Sequence, residues 1–245
     1  MTICKLREQA EALYASGTNI VSIDEKPGIQ AIERDGTTLP MKPGSVERQE
    51  FNYIRHGTQC LLATLHLGTG QIIEPTIQDT RTEADFVCQI KRIVDTDSGS
   101  PWIFLCDQLN THKSQSLVRY VAKAIEDKQD LGIKGKAGIL KDMPSRMAYL
   151  EDKSHRIHFV YTPKHCSWLD PIEVWFSILT THRLKRGNFT SIADLKEKIT
   201  AYITYFNEKL ARVWDWSVVK NKDIQTLINK VKQAEGVLAN AGAAA

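Results

Sequence analysis

The chain has 245 residues, of which 42% are hydrophobic and 25% are charged. This length and balance exclude a disulfide-stapled miniprotein and a disordered chain, and they predict one large domain or one domain with a small appendage. The formal net charge of +3 permits an anionic partner but does not require one, because strong nucleic-acid-binding domains are more basic.

The cysteines and the apolar runs predict a cytoplasmic protein without a membrane partner. The five cysteines are odd in number, widely spaced and free of any C-x-x-C pair, so we expect reduced thiols in an intracellular protein. The N-terminal segment carries charges throughout, and no apolar run is long enough for a signal peptide or a membrane span.

The first third of the chain is predicted to be rich in strands. Residues 1–18 form a short polar helix and linker, and residues 19–28 form a buried strand that Pro27 and the following glycine end. Residues 31–50 contain prolines, glycines and mixed charges, which predict a loop or irregular hairpin. Residues 51–73 predict two or three antiparallel strands joined by tight turns.

Helices and buried strands alternate in the middle of the chain. Residues 82–96 predict an amphipathic helix that begins with a T-x-x-D cap, and WIFLC at 102–106 predicts a strand buried on both faces. An apolar stripe from Leu117 to Ile125 predicts a second helix. Residues 127–156 are charged and contain glycines, which indicates an inserted loop.

The last part of the chain predicts one more strand followed by helices. Residues 157–163 form the strand, a helix follows within residues 165–185, residues 191–206 form another, and a weaker helix covers about 222–238. This order predicts an α/β fold in which helices cover a mixed sheet.

Three acidic residues are predicted to converge at one edge of that sheet. Asp24 and Asp107 each end an apolar strand, and Glu173 enters on the helix after the next strand. Carboxylate oxygens suit hard cations such as Mg²⁺ or Mn²⁺, and three acids can hold two such ions. Two metal ions assist an in-line phosphoryl displacement, so the pattern indicates phosphodiester cleavage or transfer.

Each acidic residue also has a purely structural interpretation. Asp24 could form a turn before Lys26, and Asp107 could accept hydrogen bonds from the backbone of the loop that follows it or cap the next helix. Glu173 lies three residues after Asp170 in a pattern typical of a helix start, although capping and metal binding can coexist. Glu25 should point away from Asp24, which indicates a surface or turn carboxylate.

Several further residues are candidates for supporting roles. DNA phosphates could be contacted by basic residues near the last strand and after the helix that carries Glu173, although a solvated basic face is equally possible for the second group. The candidates for DNA binding are Lys164, His165, Arg183, Lys185 and Arg186, and those for supporting the site are Asn110 and His112.

The sequence resembles the DDE transposases of bacterial insertion sequences in the mariner-related superfamily. The resemblance rests on SIDEKPGIQ at 22–30, YIRHGTQCLLATLHLGTGQII at 53–73, LCDQLNTH at 105–112 and YTPKHCSWLDPIEVWFSIL at 161–179. Together with RGNFTSIADLKEKITAYITYFNE, these segments cover most of residues 20–216 in the order of the family.

The resemblance implies a ribonuclease H-like fold, expected here as a mixed five-stranded sheet flanked by helices. It implies that Asp24, Asp107 and Glu173 form a metal-binding catalytic triad, with Mg²⁺ or Mn²⁺ bound as two ions. The implied reaction is cleavage of DNA at transposon ends followed by strand transfer to target DNA. The implied setting is a homo-oligomer on DNA in the bacterial cytoplasm, associated with the nucleoid. The catalytic domain would span 19–216, between a linker at 1–18 and a C-terminal helix and tail at 217–245.

The sequence departs from the family pattern in three ways. The helix-turn-helix region that usually precedes the catalytic domain is expected to be missing, because Met1 stands shortly before the first strand. The interval from Asp107 to Glu173 is longer by roughly the insertion at 127–156, and Asp170 stands where asparagine is common. Two alternatives follow: an inactive or truncated fragment that acts only in DNA binding and assembly, and a general ribonuclease H-like nuclease.

Overall fold

The computed structural model describes residues 3–34, 42–45, 52–164, 166 and 169–214. Met1–Val213 form one compact unit, and of the second unit, Trp214–Ala245, only Trp214 is among the described residues. The predicted helix at 222–238 and the candidate residue His165 therefore lie outside the described residues.

A mixed sheet of five strands forms the centre of the first unit, as predicted. The strands are β1 (Asn19–Arg34), β2 (Tyr53–His66), β3 (Ile72–Gln78), β4 (Trp102–Cys106) and β5 (Ile157–Tyr161). Their order across the sheet is β3-β2-β1-β4-β5. The β1–β2 and β2–β3 pairs are antiparallel, whereas β1–β4 and β4–β5 are parallel. The carboxyl ends of β1, β4 and β5 therefore point the same way.

Helices cover both faces of this sheet. They are α1 (Ile3–Glu8), α2 (Ala10–Ala15), α3 (Glu83–Thr96), α4 (Gln115–Ala124), α5 (Met143–Leu150), α6 (Pro171–Leu179) and α7 (Ile192–Lys209). A 3₁₀ turn covers Asn110–Lys113, and a π-helical turn covers Thr180–Leu184. The capping box predicted at the start of α3 is present between Thr82 and Asp85.

The two faces of β1 belong to different layers. Val21 and Ile23 pack in a core with α3, α4 and α5, whereas Ser22 hydrogen-bonds to the start of α6. Successive strand residues point to opposite faces, so odd-numbered positions here face the core and even-numbered positions face α6. This alternation separates the environments of the neighbouring acids on β1.

Two predicted boundaries are wrong. Pro27 and Gly28 do not end β1, because a register shift between Lys26 and Ile29 accommodates them; Gly28 adopts a φ of 72°, and the strand continues to Arg34. The stretch at 127–156 is more than an inserted loop, because it contains α5, whose Leu150 is fully buried in the core.

Within the described residues, the helices are either too short or too polar to cross a membrane.

Candidate active site

The parallel pairing of β1 and β4 brings Asp24 and Asp107 to the same edge of the sheet. Ser22 pairs with Leu105, so Asp24 stands two residues beyond this pair on β1 and Asp107 two residues beyond it on the β4 side. Ligand atoms of Asp24, Asp107 and His112 all lie within 4.8 Å of one another. The structure therefore places two of the three predicted acids, and one predicted supporting residue, in one cluster.

The electrostatic environment of Asp24 opposes its ionisation. Burial raises the pKa of this carboxyl well above its usual range, and the nearby charges of Asp170 and Asp107 raise it further. The Glu25 backbone N–H donates to Asp24 Oδ1 at 2.7 Å and partly offsets these effects. A cation at this position would remove the penalty, because it would neutralise the crowded negative charge.

Asp107 is held in its ionised form by donors from the segment that follows it. Burial works against ionisation, but hydrogen bonds from the His112 ring and the Leu109 backbone hold the pKa of Asp107 below its ordinary value. The His112 Nδ1 to Asp107 Oδ1 distance is 2.7 Å, and the Leu109 N to Oδ1 distance is 2.8 Å. Both donors reach the same carboxylate oxygen.

Asp170 forms a further acidic group beside the cluster. Its side chain is 1% exposed, it accepts a hydrogen bond from the Ser22 hydroxyl, and among the described residues its Oδ2 has no hydrogen-bond partner. Burial, together with the charges of Glu173 and Asp107, raises its pKa to about 7 despite the Ser22 hydrogen bond. Asp170 thus lies within electrostatic range of all three predicted catalytic acids.

Glu173 lies next to this cluster but outside its tightest part. It occupies the first turn of α6, is partly exposed and raises the pKa of Asp170 through its charge. Among the described residues, the group whose ligand atoms lie within 4.8 Å of one another does not include Glu173. The helix start that carries it is fixed to β1, because the Ile172 backbone N–H donates to Ser22 Oγ at 2.9 Å.

Glu25 differs from the sequence expectation. It does point away from Asp24, but its side chain is 2% exposed and lies 3.1 Å from His112 Nε2, so the interpretation as a surface or turn carboxylate is wrong. The sequence held a signal for this burial, because Glu25 continues the core-facing alternation of Val21 and Ile23.

Two lysines provide positive charge near the acids. The pKa of Lys113 is lowered by burial and then by the charge of Lys164, while the charge of Asp107 acts in the opposite direction. The Lys113 ammonium also lies 5.9 Å from the centre of the Tyr161 ring. Lys113 was not among the sequence candidates, although it directly follows His112 in the chain.

The remaining basic candidates lie at the far end of α6 from Glu173. Arg183 belongs to the π-helical turn and stacks 5.4 Å from the centre of the Tyr202 ring on α7, and Lys185 and Arg186 are exposed. Of the supporting candidates, Asn110 is exposed, whereas His112 is fully buried. His112 is therefore the candidate that joins the acid cluster.

The residues present fit a divalent cation. The donors include carboxylate oxygens, which suit Mg²⁺ and Mn²⁺, and because burial and neighbouring acids raise the pKa of Asp24 and of Asp170, a bound cation would favour the ionised forms. The buried Asp170 Oδ2 has no hydrogen-bond partner among the described residues, and a cation at this edge would satisfy it. Among the described residues, the ligand atoms close enough together to hold one ion belong to Asp24, Asp107 and His112.

The five-stranded mixed sheet with helices on both faces is a ribonuclease H-like fold, and the family comparison gives the class of protein. The family model of the DDE superfamily endonucleases matches residues 19–196, which is most of the chain. The chain belongs to this family. No curated protein sequence matches it.

Solved structures of mariner transposases are similar in fold. The Mos1 mariner paired-end complex with Mn is 14% identical, with a TM-score of 0.50 over 82% of this chain and 54% of that chain. The Mos1 strand transfer complex is 14% identical, with a TM-score of 0.49 over 82% and 54%. The catalytic domain of Mos1 mariner transposase is 12% identical, with a TM-score of 0.46 over 82% and 80%. The chain thus spans about half of the length of the transposase in the two complexes.

Proposed function

We propose that this chain is the catalytic domain of a transposase of a bacterial insertion sequence, which cleaves transposon ends and transfers the freed strands to target DNA. The observation that carries the proposal is the crowding of Asp24, Asp107 and Asp170 at one sheet edge, with Glu173 beside them, in a member of the DDE endonuclease family. We assign the activity to residues 19–216, with a linker at 1–18 and a C-terminal helix and tail at 217–245.

We assign roles to the residues from their environments. Asp24, Asp107 and Glu173 would hold two Mg²⁺ or Mn²⁺ ions, which would activate the attacking oxygen and stabilise the leaving oxygen. Asp107 is ionised and ready to bind a cation, because His112 and Leu109 donate to it. Lys113 and Lys164 attract the DNA phosphate whose charge the acids would otherwise repel.

DNA is the proposed partner, at both transposon ends and target. The similar Mos1 structure is described as a paired-end complex, which supports a chain that works on DNA ends. We propose that the chain acts there as a homo-oligomer. We place this activity in the bacterial cytoplasm, at the nucleoid.

The proposal is tested by nicking of supercoiled plasmid DNA in Mn²⁺ and in Mg²⁺. We expect the wild type to nick DNA and Asp107→Asn to lose about 100-fold or more in rate, because several kcal/mol of charge stabilisation depend on the bound ion. Glu33→Gln is the matched control, since Glu33 lies on the same strand but pairs with His56.

Three results would contradict the proposal. Equal nicking rates for the wild type and Asp107→Asn would show that Asp107 does not belong to the active site. DNA binding without cleavage in either metal would favour the inactive fragment. Faster cleavage of RNA·DNA hybrids than of DNA would favour a general ribonuclease H-like nuclease.

A further inference from the structure

The buried His112 ring lies between two carboxylates that face different layers of the fold. Its Nδ1 is 2.7 Å from Asp107 Oδ1, and its Nε2 is 3.1 Å and 3.2 Å from the two oxygens of Glu25. The side chain of His112 is 0% exposed and that of Glu25 is 2% exposed. The contact therefore links the acid cluster to a carboxyl group buried in the core.

Both nitrogens of the His112 ring are already occupied by carboxyl groups. Nδ1 lies within hydrogen-bond distance of Asp107 Oδ1, and Nε2 lies within hydrogen-bond distance of both Glu25 oxygens. A metal ion could bind either nitrogen only by displacing one of these two contacts.

The surrounding residues fix the orientation of the ring. Phe86 stacks on it with the ring centres 4.1 Å apart, and the Tyr161 hydroxyl donates to the His112 carbonyl oxygen at 2.8 Å. His112 cannot turn its Nδ1 away from Asp107 without disturbing the core. A shift of Glu25 would therefore shift the His112 ring and, with it, the hydrogen bond to Asp107.

Glu25 requires an explanation of its own. A buried carboxylate that lacks a partner costs several kcal/mol, and a strand position beside Val21 and Ile23 would ordinarily carry an apolar side chain. Its contact with His112 supplies a hydrogen-bond partner, and this contact is the feature that distinguishes Glu25 from a core residue with no connection to the site.

We propose that Glu25 is a positioning residue that acts through His112: it holds the imidazole so that Nδ1–H binds Asp107 Oδ1 and leaves the other oxygen of Asp107 for the metal ion. This inference rests on the proposed function, because it assumes that Asp107 is a metal ligand. The competing arrangement uses His112 itself as a third ligand with Asp24 and Asp107, whose ligand atoms lie within 4.8 Å of one another.

Calorimetric titration of Mn²⁺ into single and double variants tests whether Glu25 acts on Asp107 through His112. Residues that orient metal ligands typically contribute 10- to 100-fold to metal affinity, so we expect Glu25→Gln to weaken Mn²⁺ binding by about 10-fold or more. The double variant Glu25→Gln/His112→Gln should bind Mn²⁺ as His112→Gln does, because Glu25 has no effect once the ring is gone. Glu33→Gln, which alters the half-buried Glu33–His56 pair between β1 and β2, should bind as the wild type does.

Equal Mn²⁺ affinity of Glu25→Gln and the wild type would overturn the inference, as would additive losses in the double variant. Near-ultraviolet circular dichroism checks that each variant is folded. If Glu25→Gln does not fold, Glu25→Asp replaces it: this variant keeps the charge but retracts it from Nε2, and unchanged Mn²⁺ affinity in it would equally overturn the inference.

Pulsed electron paramagnetic resonance of Mn²⁺ bound to the wild type decides between the two roles of His112 without any substitution. We expect no ¹⁴N coupling of the strength that a directly bonded imidazole gives, and such a coupling would make His112 a ligand. The failures are distinguishable: a wild type that binds no Mn²⁺ contradicts the proposed function, whereas normal wild-type binding with an unaffected Glu25→Gln contradicts this inference alone.

Discussion

Asp170 is the residue whose environment most clearly conflicts with its charge. Its side chain is almost fully buried, and burial and the neighbouring acids raise its pKa to about 7. The folded protein therefore favours the neutral form of Asp170 below about pH 7, whereas the unfolded chain ionises near pH 4. Asparagine is common at this position in the family that the sequence resembles, and it would keep the shape of the side chain without its charge.

We expect Asp170→Asn to stabilise the metal-free protein at pH 8 but not at pH 4. Because the folded-state pKa is raised, the stability that Asp170 contributes is fully present below pH 4 and is lost as the pH rises to about 7. The variant should therefore gain up to about 4 kcal/mol in the free energy of unfolding at pH 8. Urea unfolding in the presence of a chelator at the two pH values measures this gain.

Asp85→Asn is a control for which the expected change in stability has the opposite sign. Although burial slightly opposes ionisation of Asp85, hydrogen bonds from Thr82 and Thr80 hold its pKa below the usual range, so its removal should cost stability at pH 8 and less at pH 4. A stability of Asp170→Asn that matches the wild type at both pH values would contradict the raised pKa.

At the scale of elements, α6 depends on a neighbouring strand for its start. Asp170 occupies the N-cap position, but its side chain makes no capping hydrogen bond. The Ser22 hydroxyl of β1 instead accepts from the Ile172 backbone N–H and donates to Asp170. The orientation of Glu173 thus depends on a side chain from β1, on the face that Asp24 shares.

We expect Ser22→Ala to lower the free energy of unfolding by about 1 to 3 kcal/mol, because it leaves a buried backbone donor without a partner. It should also weaken Mn²⁺ binding, since the first turn of α6 carries Glu173. Chemical unfolding and calorimetry measure the two effects separately.

Ser191→Ala is the matched control for this prediction. Ser191 caps α7 by accepting from the Asp194 backbone N–H, so its loss should cost about 1 kcal/mol of stability while Mn²⁺ affinity stays unchanged. Unchanged Mn²⁺ affinity in Ser22→Ala as well would show that the start of α6 does not control the site.

The elements themselves could largely be predicted from local patterns. The apolar run at Trp102–Cys106 and the Thr82–Asp85 cap gave β4 and the start of α3 correctly, because these signals lie within one turn or one strand. The continuation of β1 past Pro27 depends on a bulge against β2, and the burial of α5 depends on packing across the core. Neither effect is visible in a short window of sequence.

The candidate site could also be predicted only in part. Strand ends predicted the meeting of Asp24 and Asp107, because parallel strands bring their carboxyl ends together. The contact between Glu25 and His112 joins residues 87 positions apart on different layers, and only the folded chain brings them together. The role of Glu173 as a metal ligand stays a prediction. Its position depends on the start of α6, which a contact with β1 fixes.

At the scale of the whole molecule, the crowded acids predict that metal binding stabilises the fold. An ion that binds the folded chain alone adds about 2.7 kcal/mol at a concentration 100 times its Kd, which corresponds to a rise in Tm of about 5 to 10 °C for a domain of this size. Differential scanning calorimetry with and without Mn²⁺ measures this rise.

The double variant Asp24→Asn/Asp107→Asn provides the comparison. It should show no rise in Tm with Mn²⁺, because it lacks the two carboxylates that the parallel strands bring together. An equal rise in both proteins would mean that the stabilising ions bind elsewhere.

The pairing of β1 with β2 and β4 has a consequence for how this sequence can change. Asp24 faces α6 and Glu25 faces the core because Asp24 pairs with Ala63 and Glu25 with Leu62. Deleting one residue before Asp24 would exchange these faces, turning Asp24 into the core and Glu25 towards α6. Among homologues, insertions and deletions should therefore be excluded between Asn19 and Glu25 and tolerated beyond Gly28, where the bulge already interrupts the pairing.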